Sequence, residues 1–370
     1  MPRFGKPPFD RLICLRIPAA KLLSSAIRAT PALLSHLDNL THSLVGLFLA
    51  RSGLKRFTPH GTAILVLAAN APDADVISWL WGRPTWLHWH RNITHSLAGA
   101  PVMALLSVAA VALFARKDKV RWQAAFWIAL VGVASHVLLD LTNVYGMRLL
   151  LPFSGHWSHL DLTPVVDLTI WGILLLGVIA PWFSRLVGSE IGEKNPNRGK
   201  AGWAVAALLL LTGYDYTRSV FHARAVNMVG DRLYRKLAPR RAAAFPSANP
   251  LVWRGIAEMS FGYADMPVDL RTSFHPEDAV FYYKPPRTPA TYAAMQTYPF
   301  QMLLEFVQYP LWIIQPDIDP EKGNTGGSRI ELMDLRFGTP MASGFSATAL
   351  VDRNNQVHES TFGLGQVKVR

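Results

Sequence analysis

The sequence is poor in two things that many chemistries require, cysteine and charge. Its single cysteine, Cys14, excludes an internal disulfide and any metal site built from several thiolates. Charged residues make up 17% of the 370 residues, whereas soluble globular proteins average about 25%. The sequence also has no Gly-rich phosphate-binding loop and no internal repeat. Because half of the residues are hydrophobic, a disordered protein is excluded as well.

The charges that are present sum to +12. Such an excess is typical of proteins that bind nucleic acid or a membrane surface, and of membrane proteins with basic cytoplasmic loops. The basic residues lie next to apolar segments, and the sequence contains no nucleic-acid-binding motif. We therefore expect no nucleic-acid partner and take the lipid bilayer as the partner.

The apolar residues are concentrated in runs at 40–54, 61–81, 97–115, 122–139, 168–184 and 201–214. Several approach the length of about 20 residues that a helix needs to cross a bilayer. Tryptophans lie at the ends of the runs, as in an interfacial aromatic belt; they are Trp79, Trp81, Trp86, Trp89, Trp122 and Trp182. The pattern predicts an α-helical integral membrane domain of about four to six apolar helices. A soluble all-helical core is the alternative.

Two other regions flank this domain. From about residue 215 onward, prolines, short turns and alternating patterns replace the long runs, which predicts a water-exposed α+β domain. Residues 1–36 carry six basic side chains against one acid, and they are either a basic surface-lying extension or a mis-assigned start. We therefore divide the chain into residues 1–36, a membrane-embedded domain at 37–217 and an α+β domain at 218–370.

Histidines and aspartates recur at the ends of four apolar segments, where burying an ionisable group costs several kcal/mol unless it is paired or ligated. The seven candidate metal ligands are His42, Asp73, Asp75, His90, His95, His136 and Asp140. His136 and Asp140 are four residues apart and so share one helix face. Nitrogen and oxygen donors without thiolate suit zinc, manganese or iron. Taken singly, each residue is more often a helix cap or a core side chain.

A topology argument brings these groups together. The positive-inside rule places the basic segments at 51–56, 116–121 and 185–200 in the cytoplasm. All seven candidates then lie at the outer face of a multi-pass protein of a bacterial-type inner membrane. The last apolar run would deliver the C-terminal domain to that same side.

At these motifs the chain resembles the LexA-regulated, inner-membrane metal-dependent hydrolases, the YdjM-like proteins. The matching segments are 38–43 (DNLTHS), 72–75 (PDAD), 90–96 (HRNITHS), and His136 with Asp140, followed by Thr142, Gly146, 152–154 (PFS) and Asp167. The resemblance covers roughly residues 37–185. It implies a membrane-embedded relative of helical zinc-dependent phospholipase C and nuclease enzymes, in which a similar His-xxx-Asp helix ligates metal.

The resemblance and the residues together predict a hydrolase in which a divalent metal, zinc first, activates water against an ester or phosphoester. Seven candidates exceed the four ligands of one zinc, so either two or more metals bind or some candidates support the others. In the second case we assign Asp75 as general base and Asp140 as the residue that orients His136 or another ligand. In either case Arg91 is expected to stabilise developing charge, with an interfacial anchor as its alternative role. A site at headgroup level suggests a lipid or lipid-linked substrate.

The competing class is a non-enzymatic membrane protein, either a transporter or an envelope-assembly factor. Intramembrane histidines and carboxylates also serve as proton relays. A transporter should place them near the bilayer midplane, whereas here they cluster at segment ends. The sequence leaves open the substrate, the metal, the oligomeric state and the role of the C-terminal domain.

Overall fold

The computed structural model describes residues 31–115, 119–190, 200–319 and 323–366. A helical part comes first and a part built mainly of strands follows. The basic segment 1–30, which includes Cys14, lies outside the described residues, and so do residues 116–118 and 191–199 of the basic connections.

The helical part contains seven α-helices and three 3-10 helices within the described residues. The α-helices are α1 (Pro31–Arg51), α2 (Gly61–Ala68), α3 (Arg83–Trp89), α4 (Ala100–Phe114), α5 (Trp122–Thr142), α6 (Leu168–Glu190) and α7 (Lys200–Gly230). The 3-10 helices are Leu54–Phe57, Ala71–Trp81 and Ile93–His95. The apolar runs of the sequence thus form helices, but the run at 61–81 is broken in two.

Two helices of this part are long and apolar enough to cross a membrane, α5 and the segment Leu168–Val187 of α6. Two bent pairs pass the same test together: α2 with the 3-10 helix Ala71–Trp81, bent by 45°, and the segment 83–95 with α4, bent by 86°. The described residues therefore hold two candidate spans, or four if each bent pair is one span. This agrees with the predicted helical membrane domain, although it leaves the number of helices open.

The break after α2 has a local cause. Asn70 donates from its side-chain amide to the Val66 carbonyl at 2.8 Å, which competes with the next helical turn. Pro72 then follows without a backbone N–H to continue the α-helical ladder. The chain goes on as a 3-10 helix that carries Asp73 in its first turn and Asp75 shortly after it. The break therefore brings these two carboxylates toward the bundle.

The short helix α2 lies in close contact with α1 and α5 because both neighbours present a glycine. A Cβ at Gly132 of α5 would lie 2.9 Å from Ala68 Cβ, and one at Gly46 of α1 would lie 2.9 Å from the Leu65 carbonyl oxygen. Small residues that allow backbones to approach are typical of helix packing in membranes.

The C-terminal part consists of two four-stranded antiparallel sheets with two short helices. The first sheet has the order β1 (Arg241–Pro246), β2 (Val252–Glu258), β3 (Gly262–Asp269) and β4 (Val280–Tyr283). The second has the order β5 (Pro310–Asp319), β6 (Gly323–Asp334), β7 (Ser343–Val351) and β8 (Val357–Gln366). Helices α8 (Pro289–Met295) and α9 (Tyr298–Phe306) connect the two sheets.

One helix crosses the boundary that the sequence suggests at 217/218. Helix α7 runs through that position to Gly230, and its end packs Ala225 and Val229 against Trp253 and Val268 of the first sheet. The sequence changes character near residue 215 because the helix leaves the apolar bundle there, while its hydrogen-bond ladder continues.

The two parts also touch through the loop that follows α5. The buried guanidinium of Arg336 pairs with Asp334 at 2.7 Å and donates to the Val144 carbonyl at 3.0 Å. Trp157 donates from its indole to the Glu305 carbonyl at 2.8 Å. The C-terminal part is therefore docked on the end of the bundle where α5 finishes.

Candidate metal centre

Four side chains from three elements converge at that end of the bundle. They are Asp73 of the 3-10 helix Ala71–Trp81, His95 of the 3-10 helix Ile93–His95, and His136 and Asp140 of α5. One ligand-type atom from each lies within 4.8 Å of the other three. His95, His136 and Asp140 are buried, and Asp73 is partly exposed.

The spacing of these atoms suits one tetrahedral ion. The Nε2 atoms of His95 and His136 are 3.1 Å apart. They lie 3.4 and 3.6 Å from Asp73 Oδ1 and 3.4 and 3.5 Å from Asp140 Oδ2. Ligands bonded at 2.0–2.2 Å to a tetrahedral zinc are about 3.3 to 3.6 Å from one another. Five measured separations therefore lie at or close to the tetrahedral edge.

The same atoms are poorly satisfied by the protein alone. Asp140 Oδ2 is buried and accepts no hydrogen bond from the described residues, a situation that is costly for a carboxylate unless a cation is near. The Nε2 atoms of His95 and His136 face each other, and if both are unprotonated they cannot form a hydrogen bond with one another. A bound cation satisfies all three atoms, so the residues present fit a divalent metal.

The far side of each histidine is held by an oxygen. His136 donates from Nδ1 to the Ala69 carbonyl at 2.7 Å, and His95 Nδ1 lies 3.2 Å from Asp75 Oδ2. Such partners fix the ring and its tautomer so that Nε2 is free to ligate. Residues 69–75, which contain the helix break, thus supply a candidate ligand, Asp73, and the oxygens that orient both histidines.

Asp75, expected as a ligand and general base, has both oxygens engaged. Its Oδ1 lies 2.9 Å from His90 Nδ1, and its Oδ2 accepts from the Arg91 backbone N–H at 2.9 Å and from the Thr94 hydroxyl at 3.0 Å. These contacts favour Asp75 as a support for His95 and Asp140 as a ligand, whereas the sequence suggests Asp75 as general base and Asp140 as the residue that orients His136. His90 contacts this support, and it forms a further ligand-type group with Asp73 and Asp75.

A second group lies on the other side of Asp140. It contains Asp38 and His42 of α1. His42 Nε2 lies 3.5 Å from Asp38 Oδ1 and 3.4 Å from Asp140 Oδ1, and the His42 ring stacks on His136 with centroids 3.8 Å apart. Asp38 belongs to the matching segment 38–43 but is not among the candidate ligands that the sequence predicts, although Asp38 and His42 are four residues apart, the spacing that singled out His136 and Asp140.

Arg91 is buried in the same cluster. Its Nη2 donates to Asp140 Oδ1 at 2.9 Å and to Asp38 Oδ2 at 3.1 Å, and its Nη1 donates to the Asn143 side-chain carbonyl at 2.9 Å. The structure therefore brings all seven candidate ligands and Arg91 into one connected cluster.

A small cavity of about 30 Å³ lies beside Asp140. Its walls include Asp38, Thr41 and His42 on one side and Asn143 and Thr163 on the other. A volume of that size holds about one water molecule, so water can come next to the carboxylates and His42.

Tyr145, in the loop after α5, is a residue that sequence reasoning did not single out. The guanidinium of Arg91 lies 5.1 Å from its ring centroid, and its buried hydroxyl has no hydrogen-bond partner among the described residues. Burial raises the pKa of the Tyr145 hydroxyl well above its usual range. The ring also packs on Phe306 of the C-terminal part, at 4.8 Å between centroids, so it links that part to the cluster.

Apolar helices that surround a buried His/Asp cluster define an integral membrane protein with a candidate metal centre. The chain belongs to the YdjM inner membrane protein family, whose model matches residues 37–221. That match includes every residue of the cluster, and it confirms the predicted resemblance to the YdjM-like proteins. Regulation by LexA and metal-dependent hydrolysis, which the resemblance also implied, stay predictions.

The chain is also similar to the uncharacterized protein YfhP of Bacillus subtilis, with 26% identity over 216 residues. The similarity covers 54% of this chain and 59% of that protein, so less than two thirds of the relative's length is spanned. No solved structure matches. The expected likeness to zinc-dependent phospholipase C therefore stays a prediction.

Proposed function

We propose that this chain is a metal-dependent hydrolase of the inner membrane that cleaves an ester or phosphoester of a lipid or lipid-linked substrate. The observation that supports it most is the set of Asp73, His95, His136 and Asp140, with ligand atoms at tetrahedral spacing and both histidines oriented from behind. Zinc is the first choice because two imidazoles and two carboxylates suit it, with manganese or iron as alternatives.

When bound at such a set, a divalent metal lowers the pKa of coordinated water and polarises the bond to be cleaved. The chain's own residues have separate tasks. Asp75 and the Ala69 carbonyl hold the two histidines, and Arg91 holds Asp140. His42 lines the cavity, and neither of its ring nitrogens is hydrogen-bonded to a described residue. Its Nε2 lies 3.5 Å from Asp38 Oδ1 and 3.4 Å from Asp140 Oδ1, which favours the protonated ring. In this proposal His42 therefore donates a proton to the leaving oxygen, from Nε2.

A lipid substrate is supported by the surface next to the site. The 3-10 helix that carries Asp73 also exposes Ile77, Leu80 and Trp81, with Leu80 at 77%. Large apolar side chains on one exposed face favour contact with a membrane. One proposed metal ligand, Asp73, and the proposed lipid contact therefore lie on the same 3-10 helix.

The test is metal content together with hydrolysis. The purified protein should contain zinc, manganese or iron, and it should hydrolyse one of a panel of p-nitrophenyl esters, p-nitrophenyl phosphodiesters and phospholipids. His136→Ala and Asp140→Asn should lose both properties, while His156→Ala, at an exposed histidine of the same region, should keep both. No metal above background in the purified protein, or unchanged metal in His136→Ala, would contradict the proposal.

The alternative class, a transporter or envelope-assembly factor, is distinguished by the same protein in vesicles. His136 and Asp140 lie in a candidate membrane span, which a proton relay would also use. A pH-gradient-driven flux that His136→Ala abolishes, with no hydrolysis of any panel member, would favour a transporter.

A further inference from the structure

The cluster contains a second set of ligand-type side chains, two of which the proposed centre does not use. Asp38, His42 and Asp140 offer atoms within 4.8 Å of one another. Asp140 belongs to both sets, since its Oδ2 lies with His95 and His136 and its Oδ1 with His42. A carboxylate shared in this way resembles the bridge of a two-metal hydrolase, in which the ions are about 3.5 to 4 Å apart.

A cation from the chain already lies at this second position. Nη2 of Arg91 is 3.1 Å from Asp38 Oδ2 and 2.9 Å from Asp140 Oδ1. It thus contacts both carboxylates that a second metal would need. A guanidinium keeps its charge at any working pH, so this cation does not leave by deprotonation.

Arg91 is held at both ends and cannot swing away without breaking several contacts. Its backbone has φ of 56° and donates its N–H to Asp75 at 2.9 Å. Its carbonyl accepts from the Arg148 backbone N–H at 3.0 Å. Its Nη1 donates to Asn143, its guanidinium lies over the Tyr145 ring, and the residue is 2% exposed.

We infer that the centre binds one metal ion and that the guanidinium of Arg91 occupies the position that a second ion would take between Asp38, His42 and Asp140. A dication there would compete for the oxygens that Arg91 contacts, and like charges repel strongly where water is scarce. Asp140 then joins the fixed arginine to the single metal ion. This inference rests on the proposed metal centre, and it makes Arg91 a positioning residue.

The first test is the number of metal ions in the unaltered protein. The purified full-length chain, titrated with Zn²⁺ in detergent and desalted, should retain one zinc per chain by plasma mass spectrometry. Loaded with Mn²⁺, it should give an electron paramagnetic resonance spectrum of isolated ions. Two equivalents with an exchange-coupled spectrum would overturn this inference and leave the proposed function standing, whereas no bound metal would overturn both.

The second test asks whether Arg91 is the reason that the protein retains only one metal ion. Arg91→Met should raise the retained zinc from one to two per chain, and adding His42→Ala should return it to one. Arg91→Lys, which keeps the charge, and Arg83→Met, at an exposed arginine of α3, should both stay at one. A folded Arg91→Met protein, judged by gel filtration and circular dichroism, that still retains one zinc would contradict the role assigned to Arg91.

Discussion

Asp75 and Asp140 are both buried carboxylates, but their oxygens have different partners. Both Asp75 oxygens are engaged by His90, the Arg91 backbone, Thr94 and His95. Asp140 has one oxygen on Arg91, and its other oxygen accepts no hydrogen bond within the described part of the chain. The first arrangement is that of a carboxylate that orients a ligating histidine, and the second is that of a ligand.

This difference predicts unequal effects of two matched amide substitutions. Asp140→Asn should abolish stoichiometric zinc retention, because it removes a ligand charge. Asp75→Asn should keep one zinc per chain but weaken its affinity by about 10- to 100-fold, because loss of an oxygen behind a ligating histidine has effects of that size. Competition with a chromophoric chelator measures both affinities. If Asp75→Asn lost metal as completely as Asp140→Asn, Asp75 would be a ligand rather than a support.

At the residue scale, sequence predicts the members of the cluster but not their roles. Seven polar residues in apolar segments are recognisable because such groups are expensive there, and the structure brings all seven together. Ligand and support could not be separated, since that depends on which oxygen other groups leave unbonded. Asp38 is recognisable as part of segment 38–43 but not as a candidate ligand, since its contacts with His42 and Arg91 are visible only in the structure.

At the scale of elements, the break between α2 and the 3-10 helix Ala71–Trp81 determines the site. Hydrophobic runs predict helices well, because burial of apolar side chains does not depend on fine geometry. The same runs did not reveal the break, which depends on one asparagine and one proline acting on backbone hydrogen bonds. The pairing of the eight strands was equally hidden, because strand order is set by long-range contacts.

The contact of α2 with α5 should be sensitive to a single methyl group. Gly132→Ala brings a Cβ to 2.9 Å from Ala68 Cβ and 3.1 Å from the Leu65 carbonyl, so α2 must shift. We expect a loss of about 1 to 3 kcal/mol in stability, as for overpacking of other cores. Zinc affinity should fall too, because the shift moves the Ala69 carbonyl away from His136, one turn farther along α5.

Gly172→Ala in α6 is the matched control, since a Cβ at that position would meet no atom of the described residues within 4 Å. It should be neutral or slightly stabilising, as alanine is the better helix former. Thermal unfolding in detergent micelles and chelator competition give the two readouts. Equal effects of the two substitutions on unfolding temperature would show that the tight contact of α2 with α5 does not matter.

At the scale of the whole molecule, the candidate metal centre and the C-terminal part lie at the same end of the bundle. Arg336 contacts the Val144 carbonyl just beyond α5, and Arg91 contacts Asn143 beside it. The basic connections that follow α1 and precede α5 meet near the first residue of α5, because the Arg121 backbone N–H donates to the Thr58 hydroxyl at 3.0 Å. Whichever way the protein is inserted, the centre and the C-terminal part should therefore share one side and these connections the other.

The positive-inside rule then predicts the direction, with the centre and the C-terminal part on the outer face. The test begins from Cys14→Ser, which removes the sole native thiol. Asn354→Cys, in an exposed turn of the C-terminal part, should react with a membrane-impermeant maleimide on intact spheroplasts. Lys55→Cys, exposed in the connection after α1, should react only after permeabilisation. The reverse pattern would place the centre at the cytoplasmic face and restrict its substrates to the inner leaflet. Labelling of both cysteines from outside would contradict a bundle that crosses the membrane between these two positions.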